Sequence, residues 1–238
     1  MIPVLLDLDL AMGAPGSDID DGFALALAVA DPEIDLQLIT TVNGNTDAAT
    51  ATTLTGELLD RLGAAEIPVR QGATRALLRP ATRIGRLPPD VTPRPAHPEH
   101  AVSALIERVR AQPGELTLVA LGPLTNVALA MVLDPTFAAG LKDLVIMGGV
   151  FTVTTGSLDL PGEFNVWIDP EAARIVLERR GGPLGGVGHD SARSAHSGRG
   201  GGDGDRSAPV RVLCRSLFGG LDRPPGGDRG SGPRLRRL

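Results

Sequence analysis

The chain is 238 residues long, with a formal net charge of −5, one cysteine, one tryptophan, five phenylalanines and no tyrosine. A lone Cys214 excludes an intramolecular disulfide, no apolar run approaches the roughly 18 residues of a membrane span, and the core must be built from Val, Leu, Ile and Ala, as in buried parallel sheets. With no basic leader in Met1-Ile2-Pro3-Val4, a soluble cytoplasmic protein is expected, with one α/β domain over residues 1–180.

Val4–Asp7 reads as a short apolar strand, and Phe23–Ala30 as a helix stopped at Asp31-Pro32. Leu36–Val42 is a second strand, and the turn Asn43-Gly44-Asn45-Thr46 opens a helix through about Leu62. Ile67–Gln71 is a third strand. Residues 72–98, rich in Pro and Arg, form a long loop of the kind that is usually functional or mobile in a compact domain. A helix at Ala101–Ala111 and a strand at Leu116–Leu121 follow, then Gly122-Pro123-Leu124-Thr125-Asn126 leads into a helix ending near Leu133. Leu144–Met147 is a strand closed by Gly148-Gly149, and Pro170–Glu178 is a helix with Asp169 as its N-cap and Pro at its first position.

This alternation predicts an α/β fold with an open, mostly parallel sheet and helices on both faces, whose ligands bind at the carboxyl ends of the strands. Asp7 and Asp9, Asn43 and Asn45, Thr125 and Asn126, and Gly148-Gly149 each follow an apolar strand, so one fold sets them along one edge. Asp7, Asp9, Asp18, Asp20 and Asp21 bracket the step from the first strand to the first helix. Carboxylates so crowded have raised pKa values unless a cation or the donors of a ligand offset their charge. Helix capping would use one of them and leaves the others unexplained, so the pattern points to metal or carbohydrate binding.

Together the motifs resemble the nucleoside hydrolase family, the inosine-uridine preferring type. Asp7-Leu8-Asp9 with Asp20-Asp21 look like its N-terminal aspartate cluster, and Thr40-Thr41-Val42-Asn43-Gly44-Asn45 like its second-strand motif. Leu121-Gly122-Pro123-Leu124-Thr125-Asn126, Met147-Gly148-Gly149 and the run Glu163-Phe164-Asn165-Val166-Trp167-Ile168-Asp169-Pro170 complete the series through about residue 178. The resemblance implies hydrolysis of the N-glycosidic bond of ribonucleosides to ribose and free base, in purine or pyrimidine salvage, with Ca²⁺ as cofactor. It further implies Asp9 as general base and metal ligand, Asp21 and the Thr125 carbonyl as further ligands, and Asp20 and Asn165 on the ribose 2′- and 3′-hydroxyls. Glu163 would take the 5′-hydroxyl and Asn45 another sugar contact, while Asp7 orients the loop. The implied partner is a small-molecule nucleoside, not nucleic acid or a membrane, and the implied assembly a homodimer or homotetramer.

The chemistry suits these residue types on its own terms. Hydrolysis of a ribosyl bond passes through an oxocarbenium-like sugar, and a hard cation with oxygen ligands can bind water and the sugar diol together. Two other readings compete. Leu5-Leu6-Asp7-Leu8-Asp9 also looks like the aspartate pair of haloacid-dehalogenase-like phosphatases, which need a downstream lysine after a helix, and Lys142 is the only lysine here. Alternatively the chain is a non-catalytic remnant. His97 and His100 read as surface residues of the long loop, not Zn ligands.

Beyond residue 180 the composition changes. Residues 1–180 carry 13 basic and 23 acidic side chains, residues 181–238 carry 10 and 5, and glycine supplies 16 of those last 58. Such a segment is expected to be a disordered Gly/Arg-rich tail that does not complete the sheet. A shifted reading frame in a GC-rich gene would produce this composition, and the resulting chain would be impaired. The family's C-terminal aspartate ligand and leaving-group histidine have no counterpart assigned here, since His189-Asp190 comes too early in the order of elements.

Overall fold

In chain order the elements are β1 (Ile2–Leu8), α1 (Asp20–Ala30), β2 (Ile34–Thr41), α2 (Ala48–Leu62), β3 (Val69–Gln71), α3 (Ala101–Ala111) and β4 (Thr117–Ala120), then α4 (Thr125–Leu133), α5 (Phe137–Gly140), β5 (Asp143–Met147), α6 (Phe164–Ile168), α7 (Pro170–Arg180), β6 (Leu184–Val187) and β7 (Val210–Leu213). The computed structural model describes residues 1–14, 18–80, 83–149, 163–180, 184–187 and 210–213. The strands form one sheet in the order β3-β2-β1-β4-β5-β7-β6, and each pairing is parallel.

Each face of that sheet carries its own core, which is why its central strands read as unbroken apolar runs. Successive side chains of a strand point to opposite faces. Accordingly Leu5 of β1 packs with Leu38, Leu118 and Ile146 beneath α3, α4, α5 and α7, in the cluster that also holds the fully buried Phe137. Its neighbours Leu6 and Leu8 pack on the other face with Ile39 beneath Leu25 of α1 and Leu54 and Leu59 of α2. Each such leucine contributes about 1.5–3 kcal/mol on burial.

Helix ends follow local chemistry. α1 begins at Asp20, ahead of its apolar periodicity, because Asp20 and Asp21 occupy a first turn where negative charge is favoured. α2 starts after the Asn43–Thr46 turn and not within it, since Asp47 accepts from Thr50 N at 2.9 Å, and Gly63 at φ 71° closes it. Two short helices, α5 and α6, lack a periodicity long enough to be read from sequence.

Two short strands lie in the stretch that composition sets aside as a tail. There β7 pairs with β5 and β6 with β7, both in parallel. Val210-Arg211-Val212-Leu213 is a β-branched, apolar run that suits a strand despite its Gly-rich surroundings. The rest of residues 181–238 lies outside the described residues, apart from β6.

From β1 the chain moves outward through β2 to β3, whereas β4 and β5 lie on the other side of β1. The order therefore reverses between β1 and β4, the crevice where open α/β sheets bind ligands.

Candidate active site

At that crevice the chain leaving β1 carries Asp9, which is buried beside the chain leaving β4. A Cβ on Gly122 would lie 3.0 Å from Asp9 N, and one on Gly44 would lie 2.0 Å from Asp9 Oδ2. Glycine at both positions lets three strand ends close around one carboxyl. Asn45 N donates to Asp9 Oδ2 at 2.6 Å, and Asp9 N donates to Asp21 Oδ2 at 3.0 Å. Asp9 Oδ1 is buried with no hydrogen-bond partner. Burial pushes Asp9 up to about 6, against the lowering hydrogen bond from Asn45, and the charge of Asp20 adds to the rise. Asp21 is raised well above the ordinary carboxylate range by burial, then by the charges of Asp9 and Asp20.

Capping does not explain these aspartates. The N-cap position of α1 is Ile19 and makes no side-chain capping bond, while Asp18 Oδ1 accepts from Ile19 N at 3.2 Å.

Asp7 sits one step deeper, fully buried. Its Oδ1 accepts from Thr40 Oγ1 and, at 2.8 Å, from Asn126 Nδ2. Burial raises it to about 7 against those two bonds. Asn126 also donates to Thr41 O at 3.0 Å and accepts from Ala73 N at 2.8 Å. One amide thus ties β1, the end of β2 and the start of the long loop to α4. With Asp7 buried in this network, and with the exposed Lys142 placed at the amino ends of β4 and β5 by its main-chain N–H bond to Leu116 O, the phosphatase arrangement finds no support.

Asn165 lies across the carboxyl ends of β4 and β5, where its Nδ2 donates to Leu121 O at 2.6 Å and Met147 O at 3.2 Å. Glu163 caps α6: Oε1 accepts from Asn165 N at 3.0 Å and Oε2 from Val166 N at 2.9 Å. Burial raises its pKa against those and further main-chain bonds from Gly149 and Phe164. Thr125 opens α4, and its Oγ1 donates to Asp169 Oδ2 at 2.7 Å. The long loop docks on α6, with Arg79 Nη1 donating to Trp167 O at 2.9 Å and the Arg83 guanidinium 5.0 Å from the Phe164 ring. Its far side is held by Gly85 N donating to Asp47 Oδ2 at 2.6 Å.

The structure therefore brings Asp9, Asp21 and the Asn45 main chain into direct contact and sets Asp20 within electrostatic reach of them. Glu163 and Asn165 form a second group at the ends of β4 and β5. His97 and His100 serve locally, each Nδ1 accepting a main-chain N–H two residues on. Asn126, which the sequence already sets on this edge, and Asp169, which it reads as a helix cap, also frame the site through partners 44 to 119 residues away that spacing alone does not reveal.

Among the described residues no three His, Cys, Asp or Glu are grouped to hold an ion. Asp9 and Asp21 nonetheless suit part of a cation's shell. They are a buried, mutually repelling carboxyl pair with one orphaned oxygen, and oxygen donors match a hard divalent cation such as Ca²⁺.

The family model "Inosine-uridine preferring nucleoside hydrolase" matches residues 4–198. A "Probable uridine nucleosidase 2" of Arabidopsis thaliana is 37% identical, over 73% of this chain and 55% of its own length. The "Inosine-uridine preferring nucleoside hydrolase" of Leishmania major is 37% identical over 73% of this chain and 56% of its own. A solved plant nucleoside hydrolase superposes with a TM-score of 0.66 at 34% identity, over 77% of this chain and 58% of that one. The chain spans little more than half the length of these relatives.

Proposed function

Because the chain belongs to the inosine-uridine preferring nucleoside hydrolase family, we propose that it hydrolyses the N-glycosidic bond of ribonucleosides, releasing ribose and the free base. The observation that carries this reading is the Asp9 carboxyl at the sheet's switch point, held by Asn45 N and paired with Asp21, with Oδ1 buried and unpartnered.

Asp9 is the general base. Burial makes this carboxyl more basic than an ordinary aspartate, as a group that takes a proton from water requires, and its Oδ1 makes no bond within the protein. Asp9, Asp21 and the Thr125 carbonyl would hold a Ca²⁺ ion, which when bound supplies positive charge that acidifies water and engages vicinal hydroxyls. Asp20 and Asn165 orient the ribose diol. With the Asn165 amide nitrogen committed to Leu121 O and Met147 O, its Oδ1 faces a fixed direction from which to accept a sugar hydroxyl. Glu163 takes the 5′-hydroxyl and Asn45 a further sugar contact. Excess negative charge around the sugar favours the oxocarbenium-like transition state over the neutral substrate.

Base release from uridine and inosine, followed with and without Ca²⁺ beside a generic phosphatase substrate, tests the reading. Ca²⁺-dependent base release that Asp9→Ala abolishes is expected. Phosphatase activity, or no hydrolysis of any nucleoside, overturns it. The small-molecule substrate agrees with the framework, and no helix among the described residues is long and apolar enough to cross a membrane. A homodimer or homotetramer is proposed on the family resemblance alone, and a cytoplasmic location and a Gly/Arg-rich tail after residue 180 on the sequence.

A further inference from the structure

The fully buried Asp169 carboxylate accepts hydrogen bonds from three different parts of the chain. Oδ1 takes Ala172 N at 3.0 Å, the bond of an ordinary N-cap on α7. Oδ2 does something capping does not require: it takes Thr125 Oγ1 at 2.7 Å and Leu77 N at 2.9 Å, from the start of α4 and from the long loop. Asp169 N meanwhile donates to Asn165 O, closing α6. Four segments thus take their relative positions from one residue.

We propose that Asp169 is a positioning residue of the site, fixing Thr125 against α6 and the loop so that the Thr125 carbonyl and Asn165 keep one geometry. This rests on the assignment of that carbonyl to a divalent cation and of Asn165 to the sugar. The link runs through a side chain while the ligand group belongs to the main chain, so the two can be separated: Thr125→Val removes the hydroxyl donor and keeps both the carbonyl and the side-chain shape. Hydrogen bonds one shell out from a metal orient its ligands, and losing them typically weakens binding about 10–100-fold.

The test uses the full chain and Ca²⁺ alone as probe, by calorimetric titration, together with amide hydrogen exchange. Thr125→Val is expected to weaken Ca²⁺ binding about tenfold or more. Thr125→Ser, which keeps the hydroxyl, restores it, a rescue that lost packing would not give. Asp169→Ala weakens binding at least as much, and adding Thr125→Val to it weakens binding no further, because the Thr125 bond is already gone. Exchange at Leu77 N accelerates in Asp169→Ala and stays native in Thr125→Val, and circular dichroism verifies that each variant folds. If the native chain binds Ca²⁺ and Thr125→Val binds it within about twofold, the positioning role is wrong and the cation assignment stands. Unchanged Leu77 exchange in Asp169→Ala likewise overturns the positioning role. A native chain that binds no Ca²⁺ overturns the cation assignment, and the inference with it.

Discussion

Asn126 Nδ2 donates to Asp7 Oδ1 at 2.8 Å across 119 residues of chain, and this bond holds the start of α4 against the end of β1, directly beneath Asp9. The same amide serves Thr41 O and Ala73 N. Asn126→Ala leaves these buried groups short of partners, each at about 1–3 kcal/mol. Urea denaturation should show a loss of about 3 kcal/mol or more. Asn126→Asp sets a second carboxyl against Asp7, so its deficit should be larger at pH 8 than at pH 5. A deficit under about 1 kcal/mol in Asn126→Ala would mean that water replaces the amide there.

Stability of the cation-free chain should fall as pH rises from about 4 to about 7. Asp7 is raised from 3.8 to about 7 and Asp9 from 3.8 to about 6, both chiefly by burial. A carboxyl whose folded pKa exceeds its unfolded value contributes stability below the unfolded pKa, and loses it as pH climbs through the folded one. The window is therefore about 4 to 6 for Asp9 and about 4 to 7 for Asp7, and Asp21 acts in the same direction. Thermal melts in EDTA across pH 4–8 measure the slope. Melts in Ca²⁺ should recover stability most at the alkaline end, where the aspartates are ionised. A melting temperature that instead rises with pH in EDTA would contradict the environments assigned to Asp7 and Asp9.

Gly44→Ala should damage the site more than the fold. The new Cβ would lie 2.0 Å from Asp9 Oδ2 and 2.8 Å from Pro123 Cδ, so either the Asp9 carboxyl or the turn must shift. Overpacking of this kind costs about 1–3 kcal/mol, which a stable domain survives. Ca²⁺ titration and base release should both be lost while circular dichroism stays native. Activity retained within about twofold would show that Asp9 adjusts freely, contrary to its restraint by Asn45 N.

Much of this arrangement is legible in the sequence, for a physical reason. The strands of a sheet buried on both faces are continuous Val, Leu and Ile runs, and the polar residues just after β1, β2 and β4 announce the functional edge. What escapes is whatever depends on contacts formed only in the folded chain. Asp169 reads as a helix cap because its bond to Ala172 N is local, whereas those to Thr125 and Leu77 span 44 and 92 residues. α6 escapes for a different reason: its five residues make barely more than one turn, stabilised by a Glu163 cap that also reads as a sugar ligand. In β7 a four-residue strand signal is outweighed by the glycines around it.

Cation affinity should be weak in this chain and should rise when further oxygen ligands are supplied. The proposed ligands are the Asp9 and Asp21 carboxylates and the Thr125 carbonyl oxygen, against the six to eight oxygens that Ca²⁺ takes, so water would complete the shell. Each protein carboxylate exchanged for water lowers affinity and leaves the bound water less acidic. Replacing everything after Glu178 with the corresponding C-terminal part of the Leishmania major relative tests this, because the resemblance implies an aspartate ligand in that part. The chimera should bind Ca²⁺ at least about tenfold more tightly and release base from nucleosides faster by orders of magnitude. Asp9→Ala in the chimera should then abolish both properties, since one substitution removes the residue proposed as both ligand and general base. Equal Ca²⁺ affinity and equal rates for the native chain and the chimera would mean that residues 1–180 already hold every group the reaction needs.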